Sequence, residues 1–256
     1  MLEAIGLTMH FGGLVAVQDV DLSVREKEIL GLIGPNGAGK TTILNMLAGT
    51  LRPTEGKVIF GDEDVTNLPP HRRAHRGIAR VFQSNSIFQE IPVASNVRVG
   101  FHLHAKAGFW KTFFAGNRYT DPREELLYEK TMEILRLVGI YEERDKIATS
   151  LPHASQRMLC LAIALATQPK LLLLDEPVTG MNAEEVDTML SVIRALRDEK
   201  GISFLVVEHN MRAVMNVCER IAVLNYGRKI AEGSPAEIRE NPAVIEAYLG
   251  VEEDAI

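Results

Sequence analysis

Residues Gly34-Pro35-Asn36-Gly37-Ala38-Gly39-Lys40-Thr41 fit the pattern G-x-x-x-x-G-K-[ST]. Glycines at these positions let the backbone curl until successive N–H groups point inward, and the positive end of a following helix adds to the same field. Such a cradle suits the phosphates of a nucleoside triphosphate. Lys40 is spaced to bridge the β- and γ-phosphates, Thr41 to present a hydroxyl to Mg²⁺, and Thr42 to donate to the α-phosphate. The apolar run 29–33 (ILGLI) precedes the pattern, and 41–48 (TTILNMLA) follows it with apolar residues at helical spacing. Strand, glycine loop and helix in that order are the context the pattern requires.

A second constellation stands about 130 residues further on. The leucine run 171–174 ends in Asp175-Glu176, which places two carboxylates at the carboxyl end of a buried strand, where α/β sheets bind ligands. Neighbouring residues of an extended segment point different ways, so Asp175 faces Mg²⁺ while Glu176 reaches an attacking water as general base. His209 likewise follows an apolar strand, 204–207, and is expected to contact the γ-phosphate and position water. The pairs His71/His75 and His102/His104 lack a third ligand nearby and do not read as a metal site.

These residues need a scaffold. Strands are expected at 29–33, 57–60, 78–82, 171–174, 204–207 and 221–224, several flanked by amphipathic helices, which gives a largely parallel, doubly wound α/β sheet. The stretch 95–167 has no strong strand signal and carries helical runs at 124–138 and 156–166. We read it as a helical subdomain inserted into a catalytic core made of 1–94 and 168–256. Its first part holds the only tryptophan, Trp110, with Phe101, Phe109, Phe113 and Phe114 close by, either a local core or a docking surface.

Composition removes other classes. A net charge of -6 argues against a nucleic-acid surface, and the basic run 71–76 (HRRAHR) is expected to be a solvated helix face. Cys160 and Cys218 stand apart in apolar surroundings and are expected to be buried thiols of a reducing compartment. The amino terminus has no basic segment followed by an apolar one, and no apolar run approaches the roughly 20 residues of a membrane span. A cytoplasmic chain that reaches a membrane only through partners is the expectation.

With both motifs in place, the whole chain resembles the ATPases of ABC transporters. On that resemblance Gln83 in ARVFQ corresponds to the Q-loop glutamine, which serves catalysis and the Mg²⁺, and His209 in VVEHNM to the switch histidine. Phe11 in MHFGGLVAV resembles the aromatic that stacks on adenine, and 179–182 (TGMN) the loop that crosses to a second subunit. The resemblance implies an ABC ATPase fold with an added antiparallel β subdomain, and ATP and Mg²⁺ as cofactors. It also implies a partnership with a second ABC ATPase subunit, identical or not, two transmembrane permease subunits and, indirectly, a soluble substrate-binding protein, on the cytoplasmic face of the membrane.

One segment departs from the family. The signature Leu-Ser-Gly-Gly-Gln, which contacts ATP held by the opposing subunit, is replaced by Leu151-Pro152-His153-Ala154-Ser155. Pro152 lacks both hydroxyl and N–H, while His153, Ala154 and Ser155 remain as the residues able to reach the opposing nucleotide. Among ABC systems the pattern, including EPVTGMN and the closing NPAVIEAYLG, is most similar to subunits that power branched-chain amino-acid uptake, with urea or amide import and lipopolysaccharide export as alternatives. An ATP-gated regulatory module with little hydrolysis is the rival from another class.

Overall fold

The apolar run at 29–33 (β3, Ile29–Ile33) is buried at every position, as are β7 (Leu171–Asp175) and β8 (Ser203–Val207). Strands apolar on both faces belong in the middle of a covered parallel sheet. The computed structural model, which describes residues 1–82, 87–101 and 122–253, places them there. Six strands run in the order β10-β9-β3-β8-β7-β6, with β6 at Ile78–Val81, β9 at Arg220–Asn225 and β10 at Arg228–Gly233. All neighbours are parallel except the β9/β10 hairpin.

A second, antiparallel sheet has the order β2-β1-β4-β5, from Leu2–Phe11 (β1), Leu14–Val24 (β2), Glu55–Phe60 (β4) and Glu63–Asp64 (β5). The helices are Lys40–Ala48 (α1), Pro70–Arg76 (α2), Val93–Gly100 (α3), Pro122–Leu137 (α4), His153–Ala166 (α5), Ala183–Lys200 (α6), Met211–Val217 (α7), Pro235–Glu240 (α8) and Pro242–Glu253 (α9). The six-stranded sheet divides the interior in two. Leu30, Leu32, Leu171, Leu173, Leu205 and Val207 face α1 and the antiparallel sheet. Ile29, Ile33, Leu172, Leu174, Phe204 and Val206 face the helices, including α3, α5 and α6. This alternation of neighbours to opposite sides is the period of two expected of a strand, with both sides apolar.

Strand register brings the motifs together. Leu32 pairs with Val207, Asp175 with Val207 and Val81 with Leu174, so β3, β6, β7 and β8 release their chains at one edge. The phosphate-loop pattern, the two carboxylates, Phe82 and His209 therefore leave the sheet side by side.

The basic run at 71–76 is only partly the solvated face that its composition predicts. Arg73 is 1% exposed. Its guanidinium donates to the carbonyls of Met46, Leu47, Thr66 and Leu68 at 2.6–3.0 Å, closing the last turn of α1, where Gly49 takes a left-handed φ of 79°. Burial lowers its pKa to about 10, so it stays charged at neutral pH. The carbonyls at a helix end need donors, and this five-donor fork meets two of them together with two carbonyls of the loop before α2. Arg73→Ala is expected to cost about 3 kcal/mol of unfolding free energy, because it leaves buried acceptors without partners. Denaturant unfolding checks this, and Arg73→Lys should recover only part of the loss.

Candidate functional site

The loop between β3 and α1 is shaped by close approach. An added Cβ at Gly34 would lie 2.2 Å from the Leu224 carbonyl oxygen, and one at Gly39 2.8 Å from that of Ala16. Gly39 has φ 100° and is the N-cap of α1, which no side chain caps. The first N–H groups of α1 are thus open to a ligand, where the helix dipole favours an anion. Gly37 is exposed with φ 78°, and a Cβ there would meet nothing within 4 Å. Thr41 is exposed, whereas the Lys40 stem is buried and its Nζ donates to the carbonyls of Gly34 and Pro35 at 2.7 and 2.8 Å. Burial lowers the Lys40 pKa, and the charges of Glu176 and Asp175 pull it back up, which places both acids within electrostatic reach of the loop.

Asp175 is the last residue of β7, 7% exposed, and pairs through Oδ2 with Arg80 Nη2 at 2.8 Å. Glu176 has φ 49°, a left-handed conformation uncommon for a non-glycine residue. Strain of this kind collects at functional sites. Its N–H donates to Val207 O at 2.9 Å, and its carboxylate accepts from Thr179 Oγ1 at 3.3 Å. His209 is exposed at the end of the β8 loop, with Nδ1 3.4 Å from Glu176 Oε1. The loop after β3, the two carboxylates and the histidine thus lie along one edge of the sheet.

Phe11 ends β1, is half exposed, and lies on the hairpin whose second strand brings Ala16 against Gly39. Pro152 caps α5, whose first turn carries His153, Ala154 and Ser155; the His153 ring lies against Gly180, where an added Cβ would stand 3.1 Å from Cε1. Gln83 and the aromatics Phe109, Trp110, Phe113 and Phe114 lie outside the described residues. Both cysteines are buried, as expected, and burial pushes the Cys218 thiol up to about 12.

Two site residues escape a reading of the sequence. Arg80, on β6, links Asp175 to Asn45 Oδ1 at 2.6 Å and stacks over the Phe82 ring at 4.6 Å. Its signal is a lone arginine in an otherwise apolar strand. Glu208 is the other: an apolar run ending in an acid, as at Leu174-Asp175. No helix among the described residues is long and apolar enough to cross a membrane.

A phosphate loop at the carboxyl edge of a parallel sheet, with an acid pair and a histidine beside it, defines a P-loop nucleotide-binding cassette. The pattern of the ABC transporter family matches residues 17–179, and that of the branched-chain amino acid ATP-binding cassette transporter matches 228–254. The chain belongs to the ABC transporter family and is its ATP-binding, ATP-hydrolysing component. It is 40% identical over 250 residues to the high-affinity branched-chain amino acid transport ATP-binding protein BraF of Pseudomonas aeruginosa, covering 98% of both chains. It is 34% identical to the lipopolysaccharide export system ATP-binding protein LptB of Haemophilus influenzae, covering 98% of this chain and 97% of that one. The crystal structure of the ADP conformation of MJ1267, an ATP-binding cassette of an ABC transporter, superposes with a TM-score of 0.85 at 30% identity, covering 98% of each.

Proposed function

We propose that this chain hydrolyses MgATP to power the import of branched-chain amino acids through two membrane permease subunits, paired with a second ATPase subunit and served by a soluble binding protein. The observation that carries the reaction is the meeting of Lys40, Asp175, Glu176 and His209 at one sheet edge. Branched-chain amino acids are favoured over lipopolysaccharide by the higher identity to BraF and by the match at 228–254.

Thr41 and Asp175, with Gln83, are the residues that would hold Mg²⁺; an exposed hydroxyl and a buried carboxylate are donors of the oxygen chemistry that cation prefers. Bound there, the ion would neutralise charge on the β- and γ-phosphate oxygens. The chain's own work is positioning. Residues 34–42 hold the phosphates, with Pro35, Asn36 and Ala38 forming the wall between the glycines. Phe11 offers its exposed ring to the adenine. Glu176 accepts a proton from water as its oxygen attacks the γ-phosphorus and the bond to the ADP oxygen breaks. His209 orients that water against the γ-phosphate.

A groove of about 300 Å³ lies between α2, β6 and α5, lined by His71, Ala79, Phe82, Cys160, Ile163 and Thr167. Phe82, which directly precedes Gln83 in the sequence, is part of its lining. We take it as the permease dock, with residues 95–167 as the helical arm that follows the permease when two cassettes close.

Glu176→Gln is expected to lower turnover by about 10²–10³-fold with ATP binding retained, the usual worth of a general base. Hydrolysis and binding assays on the full chain read both, and an unchanged rate would favour the regulatory module that the altered signature suggests. The same signature predicts two unequal ATP sites in an assembled pair. Pro152→Ser with Ala154→Gly should raise turnover of the complex about twofold, because a second working site joins the first through restored donors to transition-state charge; no change in rate counts against the inequality.

A further inference from the structure

Glu208 is 1% exposed, directly precedes His209 in the loop after β8, and turns its side chain toward the loop that carries Glu176. Its Oε1 accepts the Val178 N–H at 3.0 Å, two residues beyond Glu176. Its Oε2 accepts the N–H groups of His209 at 3.2 Å and Asn210 at 3.4 Å. Burial raises the carboxyl pKa, and these backbone donors pull it back down. A buried carboxylate is costly unless hydrogen-bonded, and here all three backbone donors come from the loops flanking the site.

The two loops leave neighbouring strands that pair as far as Asp175 and Val207. The Glu176 N–H reaches Val207 O at 2.9 Å, and the His209 ring stands 3.4 Å from the Glu176 carboxylate without a buried surround, since His209 is exposed. The Glu208 side chain ties Val178 to the first amides of its own switch loop. Asn210 then caps α7 through the Ala213 N–H at 3.1 Å, so the same carboxylate anchors the helix start behind His209.

We propose that Glu208 is a positioning residue for ATP hydrolysis: its carboxylate is a crossbar that sets the separation of Glu176 and His209 without touching the nucleotide. The proposal rests on the reading of Glu176 as base and His209 as its water-orienting companion. Both must stand within a fraction of an ångström of productive geometry, and a misplacement near 1 Å costs about 10²-fold in rate.

Glu208→Gln keeps the volume and one oxygen but turns the other into an NH₂ group. The amide can accept from one loop only, and it faces the other with donor against donor. Glu208→Asp keeps the charge but is one methylene too short to span both loops. The crossbar predicts that kcat of Glu208→Gln falls about 10–10²-fold while KM and the Kd for ATP stay within about twofold, because position and not binding is lost. Amide hydrogen exchange at Val178, His209 and Asn210 should quicken in the nucleotide-free chain, with the Lys40 loop unchanged. Glu208→Asp should show the same split, and it carries the test if the glutamine variant does not fold. In whichever of these variants folds, an unaltered kcat with unaltered exchange, or a parallel loss of kcat and ATP affinity, overturns the crossbar. Glu176→Gln and His209→Ala are measured alongside: if both hydrolyse like wild type, the reading of the site itself fails. If both are inactive while Glu208→Gln keeps its rate, only the crossbar does.

Discussion

The structure depends on how closely backbone meets backbone at the carboxyl edge of the central sheet. Gly34 packs against the Leu224 carbonyl and Gly39 against that of Ala16, at distances a side chain would forbid. That contact draws the β3–α1 loop down onto β9 and β2 and leaves the start of α1 open without a side-chain cap. Move either glycine outward and the helix dipole no longer points at the space beside Asp175 and Glu176. The buried leucine strands hold the sheet in register so that these groups arrive on one edge.

Electrostatics explains why charged groups tolerate such an interior. Lys40 loses hydration but gains two carbonyls and the field of two acids. Asp175 is paired with Arg80, which also leans on Asn45 of α1 and on Phe82 at the mouth of the groove. One arginine therefore touches the carboxylate of the site and the wall of the proposed dock. Removing one member of such a buried pair strands the other, so Asp175 and Arg80 are held to a common fate.

Much of this is legible in residue order. The strand at 29–33 is placed to the residue, since an apolar run that stops at a glycine loop has one reading in an α/β protein. The acid pair and His209 stand out because each follows an apolar strand at the ligand edge. The antiparallel strands β1, β2 and β10 do not stand out individually, because their half-buried, irregular alternation is diluted by polar residues and interrupted by bulges. Arg73 cannot be told from its basic neighbours, since its burial depends on carbonyls of α1 more than 20 residues away. Arg80 and Glu208 act across 95 and 30 residues, distances at which local pattern carries no information. The altered signature is visible at once, but the close approach of the His153 ring to Gly180 emerges only from the fold.

Lys40 and the loop around it are the proposed seat of the nucleotide, and every assigned role in the site hangs on that. A crystal structure of the full chain grown with Mg²⁺ and a non-hydrolysable ATP analogue tests it most directly. Lys40 Nζ is expected to leave the Gly34 and Pro35 carbonyls for the phosphate oxygens, with Thr41 and Asp175 at the metal and Glu176 facing the γ-phosphate. A nucleotide bound elsewhere, or one seated in the loop with Lys40 still on those carbonyls and Glu176 turned away, would contradict it.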